Sequence, residues 1–139
     1  HRPVHEGNAA AAMFKIARTQ HRAGGWRSIE HPRDSLLRHL PGAQQLAKMS
    51  NTIKAMGDQC VFGGDHVKPT MWMTNATLLE MLARSCPGQP EHPRHEQLQG
   101  TTAGTGGRTI YKTAAAAAYL HGLCSAVANT YADHHDEPF

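Results

Sequence analysis

The chain has 139 residues, 40% hydrophobic and 18% charged, with 14 Lys and Arg against 11 Asp and Glu. That describes one globular domain with enough apolar residues for a core, and no run of 18 or more apolar residues supports a membrane-spanning helix. A net charge of +3, with 11 histidines that gain charge below about pH 6.5, permits a polyanionic partner without requiring one.

Three well-separated cysteines, Cys60, Cys86 and Cys124, make no disulfide framework and point to a reducing, intracellular setting, cytoplasmic or nuclear. A start at His1 is expected of a piece of a longer protein, and "NAAAAMF" lacks the basic start and long apolar run of a signal peptide.

In chain order, Ala9, Met13, Ile16, Ala17 and Gln20 share one face of a predicted helix over 9–20, with Asn8 as its N-cap and Gly24-Gly25 as its stop. "WRSIE" follows as a short strand closed by Pro32, which disfavours helical geometry at His31. The strand therefore delivers Glu30 to its carboxyl end. Helix, glycine turn and strand make an α/β pattern, in which ligands sit outside strand ends.

"DSLLRHL" predicts one or two helical turns, capped by Asp34 or Ser35, with Leu36, Leu37 and Leu40 inward. Leu46, Met49, Ile53 and Met56 extend a helical period over 43–56, and Gly57 stops it. "QCVFGG" and "TMWMTN" predict two strands around the loop "GDHVKP", and "NATLLEMLAR" a short helix capped by Asn75. Residues 85–109, rich in Gly, Pro and His, predict a long irregular insertion. A closing helix over 113–132 puts Leu120, Leu123, Cys124, Val127 and Tyr131 on one face, and 133–139 forms a disordered tail.

Four constellations could carry chemistry. Cys86, His92 and His95 in "CPGQPEHPRH", completed by Cys60 or Cys124, have the residue types of a tetrahedral zinc site. A zinc ribbon needs two closely spaced pairs, and no C-x-x-C is present, so the expectation is a histidine-rich loop with no metal. "GTTAGTGGRT" is glycine-rich but matches neither phosphate-binding fingerprint, leaving Arg108 as a charge on a mobile loop. Cys60 and Cys124 fall in apolar contexts and predict inert core thiols. Glu30, at a strand end before a proline bend, could hydrogen-bond a planar polar ligand such as a base edge, or be a solvated carboxylate beside a helix start.

Taken in order, "WRSIEHP", "DQCVFGGDHVKPTMWMTN", "HEQLQGTTAGTGG" and "AAYLHGLCSAVA" resemble the C-terminal half of the cytosine-C5 DNA methyltransferase-like family, above all its compact phage-type members. The similarity runs through roughly 8–130. It implies a Rossmann-like, S-adenosylmethionine-dependent fold, present as a C-terminal portion over 1–132, with 85–109 where the family reads its DNA target. It implies a catalytic role for Glu30, holding a flipped-out cytosine at N3 and its exocyclic amine. His31 stands where the family has Asn and Leu120 where it often has Pro. His31, Arg33, Lys68 and Arg108 become the substrate and nucleic-acid contacts.

The cofactor loop and the nucleophilic cysteine would belong to a missing N-terminal half, so the cofactor-binding residues are unknown and this piece is expected to be inactive alone. The partner implied is DNA, with no membrane. Two alternatives accompany this reading. One is a non-catalytic nucleic-acid-binding module or mobile-element remnant, using Arg33, Arg38, Lys68, Arg94 and Arg108 on phosphates. The other is a small zinc-stabilised interaction domain.

Overall fold

The computed structural model describes residues 7–92, 94–115 and 119–134. Helix α1 (Asn8–Arg22) begins after Gly7, without a side-chain cap, and ends in a turn through Gly24 at φ +80°. Its inward face is Phe14 and Ala17, whereas Ile16 is 69% exposed. The strand expected at 26–30 is β1 (Ser28–Pro32), so Glu30 lies mid-strand and not at the carboxyl end, because pairing with β3 runs on through His31 and Pro32. Ser35 caps a 3-10 turn at Leu36–His39 by accepting from Leu37 N at 3.2 Å. Leu40 is buried and Leu36 exposed there. Helix α2 (Pro41–Ala47) follows directly, its proline in the first turn where no N–H is missed.

The largest departure from expectation comes next. Helix α2 stops at Ala47, Asn51 takes a left-handed φ of 56°, and residues 53–58 form strand β2 (Ile53–Asp58). "QCVF" is a 3-10 segment (Gln59–Phe62), not a strand, and β3 (Pro69–Thr74) is. Strand β3 lies between the other two and pairs antiparallel with both, through Glu30↔Trp72 and Ala55↔Trp72. Pro32 is tolerated because β1 is an edge strand.

The fold is thus mixed α/β, as expected, but every hydrogen-bonded strand pair among the described residues is antiparallel, which is not the sheet of a Rossmann-like domain. The α/β pattern survives in one respect. Because β1 and β2 each oppose β3, they run parallel to one another, joined by a crossover that contains α2.

Alternation along the strands separates two cores. One face carries Ile29 and Met73 against α1 and α2, with Phe14, Leu40 and Leu46. Arg27 is buried between these layers, donating to Met73 O at 3.1 Å, Leu46 O at 3.3 Å and Thr52 Oγ1 at 2.6 Å. Burial pulls its pKa down. The opposite face carries Ala55 and Trp72 against Leu79, Leu82 and Leu123. There Thr77–Leu82 is a 3-10 helix, and Asn75 does not cap it but bonds Arg27 N and Gly25 O.

The 85–109 segment is irregular except at its end, where β4 (Thr101–Ala103) pairs with β5 (Thr109–Tyr111) around a glycine turn. The closing helix is two pieces, α3 (Lys112–Ala115) and α4 (His121–Asp133). On α4 Leu123 is buried, while Cys124 is exposed rather than in the core. Of the expected tail, residues 135–139 lie outside the described residues. No helix among the described residues is long and apolar enough to cross a membrane.

Candidate functional site

Glu30 sits on β1 opposite Trp72, on the face away from α1 and α2. Its carboxylate accepts twice: Oε1 from Gln59 Nε2 at 3.3 Å, and Oε2 from the Tyr119 hydroxyl at 3.2 Å. Gln59 is itself buried and donates again to Thr70 Oγ1 at 3.0 Å, while the Thr70 hydroxyl donates to Lys68 O at 2.9 Å. Glu30 is therefore held by a buried polar relay that begins in β3, not left as a solvated side chain. The carbonyl oxygen of Gln59, Oε1, is buried and has no hydrogen-bond partner among the described residues.

Two clefts meet here, sharing Lys68 and Tyr119 as a common wall. One, of about 350 Å³, is lined by Gln59, Asp65, His66, Glu96 and Lys112 among others. The other, of about 450 Å³, is lined by Glu30, Pro32, Pro69, Leu98 and Thr113. Lys68 adopts φ 42° and carries its ammonium 5.9 Å from the centre of the Tyr119 ring, a cation–π distance. Lys112 makes an exposed ion pair with Glu96 at 3.9 Å. The Tyr119 phenol is pushed above its ordinary 10, first by the Glu30 charge, then by burial, the hydrogen bond and Cys124.

Helix α4 places this wall. A side chain at Gly122 would collide with the Phe62 carbonyl, so only glycine lets the start of α4 lie directly on the 59–62 segment.

The expected site residues divide. Glu30 and Lys68 line the cleft. His31 does not: strand alternation turns it to the other face, buried, with Nδ1 2.8 Å from Pro32 O and Nε2 without a hydrogen-bond partner among the described residues. Arg33 and Arg108 are exposed and line neither cleft. Arg38 pairs with Asp34 at 3.9 Å, and Arg94 lines a separate shallow hollow with Gly88, Gln89 and His95. Gln59 and Tyr119 had no signal in the sequence, since their roles exist only once residues far apart in the chain meet.

A second cluster lies behind Gln59. Ligand-capable atoms of Cys60, Cys86, His92 and His95 all fall within 4.8 Å of one another. Cys86 Sγ is 3.1 Å from His95 Nε2, and the two imidazole rings are 4.6 Å apart. Burial, and then the adjoining Cys86 thiol and Asp58, push the Cys60 thiol up to about 11. Of the two cysteines that could have completed this set, Cys60 does so, and Cys124 remains a free exposed thiol on α4.

No strand, glycine loop and helix follow one another among the described residues, and the glycine-rich 100–107 stretch belongs to the antiparallel β4–β5 hairpin. No protein-family model, curated protein or solved structure matches this chain.

Proposed function

We propose that this chain is the base-recognising portion of a DNA (cytosine-5)-methyltransferase-like protein, and that its own activity is binding. The observation that carries the reading is the acceptor set in the Glu30 cleft. The two carboxylate oxygens of Glu30 have about four lone-pair sites, of which Gln59 and Tyr119 use two.

Such a set complements a planar edge rich in donors. A cytosine protonated at N3 presents its N3–H and exocyclic amine side by side, and a carboxylate accepts both at once. An unpaired or flipped base is the form that exposes this edge, and the adjoining Tyr119 ring offers a stacking surface. Lys68 and Lys112 supply cationic charge for the strand's phosphates.

Methyl donation from S-adenosylmethionine has no assigned residue in this chain, so its contribution is limited to binding and orienting the base. The free cysteines agree with a reducing intracellular setting.

The reading is tested by fluorescence anisotropy with short labelled DNA. Affinity is expected to fall steeply as salt is raised. Absence of binding, or binding indifferent to salt, would overturn it.

A further inference from the structure

We propose that Cys60, Cys86, His92 and His95 bind one zinc ion, and that this ion clamps the loop carrying Cys86, His92 and His95 onto the wall of the cleft that adjoins Glu30. The donor set is two thiols and two imidazoles, four ligands with no fifth position, as in a closed structural zinc site. Calcium and magnesium require oxygen ligands, which this set does not offer.

The distances fit. Zinc–sulfur bonds of about 2.3 Å and zinc–nitrogen bonds of about 2.0–2.1 Å place the ligand atoms of a tetrahedron roughly 3.3–3.8 Å apart. The four atoms here already lie within 4.8 Å, and the Cys86–His95 pair is at 3.1 Å. Closing on an ion needs a contraction of about 1 Å at the widest pair.

The surroundings are those of an oriented site. Gly88 N donates to Cys86 Sγ at 3.4 Å, and His92 Nε2 lies 3.3 Å from the Cys60 carbonyl oxygen. Cys86 N donates to Asp58 Oδ2 at 2.8 Å, which fixes the loop's entry against the end of β2. Cys60 is buried and the other three are half-buried, so the ion has both a floor and a path in.

Among the described residues the loop has no apolar anchor of its own. Between Arg84 and Gly100 no described residue belongs to a helix or strand, and none is a buried hydrophobic side chain. Its remaining ties are a few polar contacts, including Glu96 N to Asp65 O at 3.0 Å. Apolar burial cannot order such a segment, whereas four metal–ligand bonds can.

The consequence for the cleft follows from adjacency in sequence. Cys60 is next to Gln59 and His95 is next to Glu96, and both Gln59 and Glu96 line the cleft that adjoins the Glu30 cleft, Gln59 also holding Glu30. One ion therefore fixes two parts of that adjoining wall. This inference goes beyond DNA recognition and stands whether or not the chain binds DNA.

The test uses the full chain, purified under reducing conditions with zinc supplied and then dialysed exhaustively. Elemental analysis is expected to find about one equivalent of zinc, and cobalt substitution to give tetrahedral visible bands with thiolate charge transfer. Cys86→Ser and His95→Ala should weaken cobalt binding by at least about tenfold, a loss seen even for outer-shell partners. Cys124→Ser should not. Should the ligand variants fail to fold, competition of the wild-type chain with a chromophoric chelator still measures affinity. Chelation should also accelerate tryptic cleavage at the exposed Arg94. No retained metal, an octahedral cobalt spectrum, or equal loss in Cys124→Ser would overturn the site. Unchanged cleavage at Arg94 on chelation would overturn the clamp.

Discussion

The Tyr119 hydroxyl donates to Glu30 Oε2 at 3.2 Å, joining the chain's first strand to the entry of its last helix. The Glu30 charge is the largest cause of the raised Tyr119 pKa. Phenol deprotonation is then disfavoured in the folded state, so this contact's contribution is complete below the ordinary pKa of about 10 and lost as pH rises through the higher folded value. Glu30→Gln should bring the Tyr119 titration back toward its ordinary range, seen in ultraviolet absorbance against a Tyr119→Phe background. An unshifted titration would show that the two groups do not interact in solution.

Gln59 tests the relay from the other side. Gln59→Glu would place a second carboxyl group, in a buried position, beside Glu30. Burial and the like charge would both raise its folded pKa, so stability lost at neutral pH should be regained on acidification. Urea unfolding at pH 5 and pH 7 checks this; the variant's deficit relative to wild type should be smaller at pH 5.

Gly122→Ala sets helix propensity against packing. Propensity alone favours alanine by about 1 kcal/mol. The collision with the Phe62 carbonyl should reverse the sign, costing about 1–3 kcal/mol as overpacking does. A thermal-melt increase would mean that α4 does not lie on the 59–62 segment.

Arg27→Met removes the donors for Met73 O, Leu46 O and Thr52 Oγ1 together. Hydrogen bonds to a charged group are worth about 1.5–3 kcal/mol each, and the carbonyls left behind are buried, so a loss of about 3 kcal/mol or more is expected in urea unfolding. Arg27→Lys should recover little, because an ammonium cannot reproduce the planar fork that spans β3 and α2.

What could be read from the sequence followed from local chemistry. Gly24-Gly25 and the existence of β1 rest on neighbours within a few residues, whereas the strand's end does not, and Glu30 falls at its centre. The 43–56 helix failed because Ile53 and Met56 also fit a helical spacing, while the period-2 burial of Ala55 and Gly57 spans too few residues to compete. What decides the matter is pairing with β3, which no local pattern reports.

Ile16 and Phe14 exchanged roles on α1 for a related reason. Either could face inward by period, and the position of α2 selects Phe14. The same limit applies to the sites. His31 sits beside Glu30 in sequence, yet strand alternation sends it to the opposite face. Cys60 is far from Cys86 in the chain, so the residue types named the cluster while only folding selects Cys60 over Cys124 as its fourth member.

The proposed reading of a donor-rich base edge by Glu30 is tested by the affinity of wild type and Glu30→Gln for matched DNA duplexes containing one unpaired cytosine or one unpaired thymine. Wild type should favour cytosine by about 1–3 kcal/mol, the worth of one good bidentate contact. Glu30→Gln should lose that preference while keeping its salt dependence. Equal affinity for the two bases, or a cytosine preference that survives in Glu30→Gln, would show that Glu30 does not read the base.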